Sequence, residues 1–169
     1  MSAQIFHTRV WPLRDRLYRL AYRLLGERTE AEDVVQETML KLWEKRTDLI
    51  EVNNVEAWSF RLLRNQSIDR YRSLKRRTTQ DLANAPEPVS NASNPSQQIE
   101  QKELRQAIDQ IIQGLPEQRR MVLHFREVEE RSYQEIADML DISLDQVRID
   151  LHRARKALRT QLIKNPCYE

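Results

Sequence analysis

The chain has 169 residues, only two glycines and six prolines, with 40% hydrophobic and 32% charged residues. That length holds one ordinary domain or two very small ones, and scarce Gly and Pro beside abundant Leu, Arg, Glu and Gln favour helices over a turn-rich β fold. Net charge is only +2, yet acids gather between Glu27 and Glu37 and bases in Arg61–Arg77 and Arg148–Lys164, a pattern that suits separate faces for separate partners or a plain solvated helical surface.

The single cysteine, Cys167, has no partner for an internal disulfide, in keeping with a reducing cytoplasm. The N-terminus lacks a signal-peptide core and no run reaches membrane-spanning length, so a cytoplasmic protein without membrane insertion is expected.

Three helical patterns fill the first half. Residues 5–25 carry Leu13, Leu17, Leu20, Ala21, Leu24 and Leu25 at helical spacing, and Gly26 supplies a stop. Thr29 with Glu32 reads as a capping box that opens a second helix through Val34, Val35, Met39, Leu42 and Trp43. After a connector at residues 47–53, a third helix is expected from about Asn54 to Arg77.

Residues 78–96 then read TTQDLANAPEPVSNASNPS, with Pro86, Pro88 and Pro95 among repeated Ser and Asn. Too few apolar residues are present to bury, so this stretch is expected to be a flexible linker between domains at 1–77 and 97–169. Periodicity resumes at Ile99, Leu104, Ile108, Ile111 and Ile112 and stops near Gly114. Pro116 suits the first position of the next helix, which runs through Met121, Val122, Leu123 and Phe125.

The most informative stretch follows. Ser132 with Glu135 and Ser143 with Gln146 form two successive capping signals. Between them lie Ile136, Ala137, Met139 and Leu140, then a short turn at Asp141-Ile142, with Val147 and Leu151 beyond it. Ala137 permits close helix approach, Asp tolerates the left-handed turn usually given to glycine, and Val147 and Leu151 plug the second helix onto the first; this is the spacing of a helix-turn-helix. The second helix carries Arg148, His152, Arg153, Arg155, Lys156 and Arg159, polar near its start for base edges and cationic along its flanks for phosphates. Asp145 and Asp150 count against contact with DNA, since phosphate repels acids that do not accept from a cytosine amine.

Two further stretches have two readings each. Glu30, Glu32, Asp33, Gln36 and Glu37 crowd the start of the second helix, its acids either complementing the dipole or offering an acidic face to a basic partner. The third helix holds seven bases against two acids, with Trp58, Phe60 and Tyr71 interleaved. Cations with aromatics suit unpaired nucleic acid, although Trp58 falls in register with Leu62 and is expected in the core.

At AEDVVQETMLKLWEK, AWSFRLLRNQSIDRYR and LPEQRRMVLHFREVEERSYQEIADMLDISLDQVRIDLHRARKAL the chain resembles the extracytoplasmic-function (ECF) sigma factors, a minimal group that we place within the primary sigma family. The resemblance spans nearly the whole chain. It implies an all-α protein of two small helical domains joined by a flexible linker, the C-terminal one containing the helix-turn-helix. It implies a sigma factor that binds core RNA polymerase and directs promoter recognition, strand opening and initiation, with promoter DNA and an anti-sigma factor as further partners. Asp33, Gln36 and Glu37 match the acidic motif that docks on the polymerase clamp. Asn53, Arg61, Arg64, Asn65, Arg70, Arg72, Lys75 and Arg76 fall where the minus-ten element is engaged. Ser132, Tyr133, Ser143, Gln146, Arg148, His152, Arg153, Arg155 and Lys156 fall where the minus-thirty-five element is read. Asp145-Gln146 and Arg148-Ile149-Asp150 depart from the family's usual Gly-Thr and Lys-Ser-Arg-like run, so base contacts are not carried over there.

Two other readings compete: a helix-turn-helix regulator that acts without polymerase, and an interaction module that binds polymerase or a sigma regulator. The first leaves the acidic and basic-aromatic helices without purpose. An enzyme is the weakest reading, since the sequence has no phosphate-binding glycine loop, metal-ligand cluster or nucleophile–base arrangement. No catalytic residue, metal or cofactor is therefore expected.

Overall fold

The computed structural model describes residues 1–80 and 96–164, the latter with side chains from residue 99. Its α-helices are α1 (Ser2–Ile5), α2 (Arg14–Leu25), α3 (Arg28–Glu44), α4 (Val55–Gln80), α5 (Ser96–Gln113), α6 (Glu117–Glu127), α7 (Tyr133–Leu140) and α8 (Leu144–Ile163). The described residues include no strand, so the all-α expectation holds.

The boundaries differ from expectation where a side chain intervenes. The first helix is interrupted by a π turn at Phe6–Val10 and a 3-10 turn at Trp11–Leu13. Pro12 is the cause, because it has no N–H to donate and its ring crowds the preceding turn. Gly26 then closes α2 at φ 72°, the left-handed region glycine enters without strain. Glu27 follows at once as the N-cap of α3, its carboxylate accepting from the Glu30 N–H at 2.9 Å. The expected box at Thr29 and Glu32 does not form, since Thr29 is already helical and Glu32 accepts from Arg28 instead.

Asn54 caps α4 by accepting from the Ala57 N–H at 2.9 Å. The helix runs through Gln80, past the expected end at Arg77, with the Thr78 and Thr79 hydroxyls donating back to the carbonyls of Leu74 and Lys75. Thr78–Gln80 and Ser96 are thus helical rather than linker; residues 81–95 and Cys167 lie outside the described residues. Pro116 is the N-cap of α6, one position earlier than expected.

Helices α2, α3 and α4 pack around Leu17, Leu20, Leu24, Val34, Phe60 and Leu63, and this core runs on into Ile112, Met121, Phe125, Ile136, Val147 and Leu151 of the second half. Phe60 and Phe125 meet edge to face at 5.2 Å across the seam. A second cluster joins Phe6, Val10, Leu42, Leu49 and Val55, and the half-buried Trp58 and Leu62 pack on it as their register predicted.

Candidate nucleic-acid and polymerase interfaces

Helices α7 and α8 form the expected helix-turn-helix. Ser132 and Glu135 make a complete capping box: the Ser132 hydroxyl accepts from the Glu135 N–H, and the Glu135 carboxylate accepts from the Ser132 N–H. Asp141 ends α7 in the left-handed region at φ 55°. The Ser143 hydroxyl accepts from the Gln146 N–H at 3.1 Å and starts α8. Ala137, Val147 and Leu151 are buried between the helices. With that face of α8 fixed, the opposite face is fixed too. Asp145, Arg148, Ile149, His152, Arg153 and Lys156 are exposed along it.

The two acids on α8 part company. Asp150 is buried, turned away from the exposed face, and accepts from Gln118 at 2.6 Å and Gln146 at 2.9 Å, with Arg119 at 3.7 Å. It braces α8 on α6 and presents no charge to a groove. Only Asp145 remains outside, where it accepts from Arg148 at 3.0 Å. Gln146 is drawn toward Asp150 and Arg155 toward Glu127, while Tyr133 is half-buried under the Arg126 guanidinium.

The cations of α4 divide by position. Near the middle, Arg61 donates to the carbonyls of Asp138 (2.6 Å) and Met139 (3.1 Å), at the negative end of α7. Arg64 reaches Glu117 at 3.4 Å, and Arg70 pairs with Glu30 and Glu37 of α3. Farther along, Arg72, Lys75 and Arg76 are exposed and line a shallow groove with Thr79 and Gln80. Asn53 and Asn65 are also exposed. On α3, Asp33, Gln36 and Glu37 are all exposed, and Gln36 borders a groove lined by Arg14, Tyr18, Arg28 and Val35.

This pairing of an acidic helix with two cationic ones has close relatives. Residues 12–77 match Sigma-70 region 2 and residues 105–158 match Sigma-70 region 4. The ECF RNA polymerase sigma factor SigW of Bacillus subtilis is 32% identical over 158 residues, covering 88% of this chain and 84% of SigW. The chain belongs to the ECF sigma factors. Its function is that family's, transcription initiation by RNA polymerase. The matches name Sigma-70 and its ECF group, which corrects the narrower placement within a primary sigma family. Two solved structures share the fold: the sigma factor RpoE of Bartonella quintana, in complex with the anti-sigma factor NepR (23% identity, 93% of this chain and 96% of that one, TM-score 0.71), and CnrH in complex with the cytosolic domain of CnrY (21%, 96% and 90%, TM-score 0.67).

Regions two and four of this sigma factor also meet through a polar seam that periodicity gave no means to anticipate. Arg16 of α2 bonds both Glu56 of α4 and Glu129 after α6, and Arg131 bonds the same Glu56. Buried Arg120 donates to the Leu24 carbonyl at 2.8 Å and to Gln113, whose amide in turn donates to the Arg23 carbonyl. Gly26 permits this approach, since a Cβ there would lie 3.0 Å from the Gln113 carboxamide.

Two titrating groups lie in the seam. Burial pushes the His124 imidazole below its ordinary value, assisted by the charges of Arg23 and Arg19, so it is neutral at pH 7. Burial also works against the charge on Glu129, but hydrogen bonds and charge outweigh it and hold the carboxyl at about 2. His124 Nε2 is 3.7 Å from Glu129, beyond hydrogen-bond range, and both its ring nitrogens lack a partner. The cations beside Glu129 are Arg16, bonded at 2.5 Å, and Arg19, 3.8 Å away, and they keep its carboxyl ionised.

Sequence reading also missed Arg119, which lines a groove with Arg153, Lys156, Thr160 and Gln161. Its only sequence signal was a basic residue on the first turn of α6, indistinguishable from a solvated one.

Proposed function

We propose that this sigma factor acts by binding alone, through three surfaces. The exposed Asp33, Gln36 and Glu37 dock on the clamp of core RNA polymerase. The connector at Asn53 and the cations of α4 engage the minus-ten element and hold its unpaired strand, with the exposed Tyr71 as the interleaved aromatic able to stack on a base. Helix α8 reads the minus-thirty-five element, and binding energy drives local strand opening. The linker between α4 and α5 passes toward the polymerase active centre. An anti-sigma factor is a further partner, as NepR is for the structurally similar RpoE, and the site of action is the cytoplasm; no described helix is long and apolar enough to cross a membrane.

The observation that carries this reading is the division of α8: its apolar residues and Asp150 lock onto α6 and α7, leaving a polar, cationic face open along its length. In the packed arrangement Arg61 and Arg64 are held by region four. Engagement of the minus-ten element therefore exchanges these contacts for DNA, and the packed form is the resting one. Of the two acids that counted against contact with DNA, Asp150 is accounted for by its partners inside the protein, which leaves Asp145 alone.

The test is transcription in vitro with bacterial core polymerase on a pool of genomic promoter fragments. Discrete start sites appear only when the protein is added. Asp33→Arg abolishes polymerase binding with the fold intact, and Arg148→Ala weakens upstream promoter recognition more than polymerase binding. Polymerase binding without initiation would favour the interaction-module reading, and normal binding by Asp33→Arg would remove the docking assignment.

A further inference from the structure

The exposed face of α8 has one feature that phosphate attraction does not explain. Ile149 is an isoleucine 43% exposed on an otherwise polar stripe. Counting from Asp145, the stripe takes in Arg148, Ile149 and His152, which are neighbours at helical spacing on the first two turns. Single exposed apolar residues are ordinary on protein surfaces. This one, however, sits where a helix-turn-helix presents side chains to base edges, with charged or polar neighbours before and after it. The buried set Val147, Asp150, Leu151 and Ala154 leaves the helix no freedom to rotate Ile149 inward.

The floor of the major groove offers a distinctive apolar group, the 5-methyl of thymine. An aliphatic side chain on the reading face is complementary to that group and has no hydrogen bond to offer the edges of guanine, cytosine or adenine. Beside it, Arg148 is steered by Asp145 at 3.0 Å. An exposed pair of this kind adds little stability, so its consequence is orientation: the guanidinium keeps further N–H groups for the paired acceptors of a guanine.

We propose that Ile149 is a specificity-determining residue that reads a thymine methyl in the upstream element, next to a guanine read by Arg148. This rests on α8 being the groove helix. In the test, holoenzyme reconstituted from the full chain and bacterial core polymerase selects duplexes from a pool randomised across the upstream element. The enriched duplex is then remade with uracil for thymine, one position at a time. At one position the native chain loses affinity about fourfold, the worth of one buried methyl. Ile149→Ala binds the thymine and uracil duplexes equally there, while its unfolding midpoint is unchanged because the residue is exposed. Indifference of the native chain to every replacement overturns the proposal, as does a response that survives Ile149→Ala or an enriched element without thymine. A pool that yields no upstream element, with Arg148→Ala binding as the native chain does, overturns the groove-helix reading and the proposal with it.

Discussion

Helices α4 and α8 are both long and rich in cations, yet the structure uses their charges differently. On α4, Arg61, Arg64 and Arg70 each face a protein acceptor, two of them in the other half of the molecule. On α8, Arg148, His152, Arg153 and Lys156 face solvent, and only Arg155 turns back, to Glu127. A count of bases does not separate the two helices. The difference comes from what packs against each one: α4 is crossed by α7 near its middle, whereas α8 lies at the edge and keeps one whole side free.

The comparison can be broken most sharply at Asp150. If this acid belongs to the protein side of α8, Asp150→Ala leaves the Gln118 and Gln146 amides and the nearby Arg119 without their acceptor. A loss of about 3 kcal/mol is expected, read as a lower unfolding midpoint. An unchanged midpoint with altered DNA binding would move Asp150 to the groove side.

The next effect is at the seam. His124 is buried with neither ring nitrogen partnered, so His124→Leu raises stability by about 1–2 kcal/mol at pH 7. Its folded value lies below the ordinary one, so the native protein loses stability as pH falls below about 6.5, where the unfolded chain takes up the proton. Glu129 behaves differently. With a folded value of about 2, its contribution is complete above the unfolded value of about 4.3 and is lost as pH falls toward 2. Midpoints measured from pH 7 to pH 2 should show both losses in the native chain and only the lower one in His124→Leu.

Arg61→Ala removes two hydrogen bonds to the end of α7 and should lower stability by about 1 kcal/mol, with faster amide exchange at the end of α7. Arg72→Ala, on the exposed part of the same helix, should change stability by less than about 0.5 kcal/mol. Equal effects would erase the division within α4. The smallest gain is at Glu130, held at φ 52° without being glycine; Glu130→Gly relieves about 1 kcal/mol of left-handed strain.

Much of this was legible in the chain itself. The Ser132 and Ser143 caps, the turn at Asp141 and the plugs at Val147 and Leu151 all stand where the spacing put them, because they depend on neighbours within one or two helical turns. The α3 cap and the break at Pro12 were misjudged, although their causes are equally local: Glu27 lies two residues nearer the glycine than Thr29, and a proline early in a periodic run still perturbs it.

What the sequence determined by itself is therefore the local part: an all-helical chain, its helix-turn-helix, and the family to which its motifs point. The tertiary structure decided which charges are available. Asp150 and Asp145 are both acids on one helix, and Arg61 and Arg72 both cations on another, yet one of each pair faces protein and the other water. Helical periodicity sets the angle of a side chain about its own axis. Only the helices packed around it determine whether that direction ends in an acceptor, a core or open solvent.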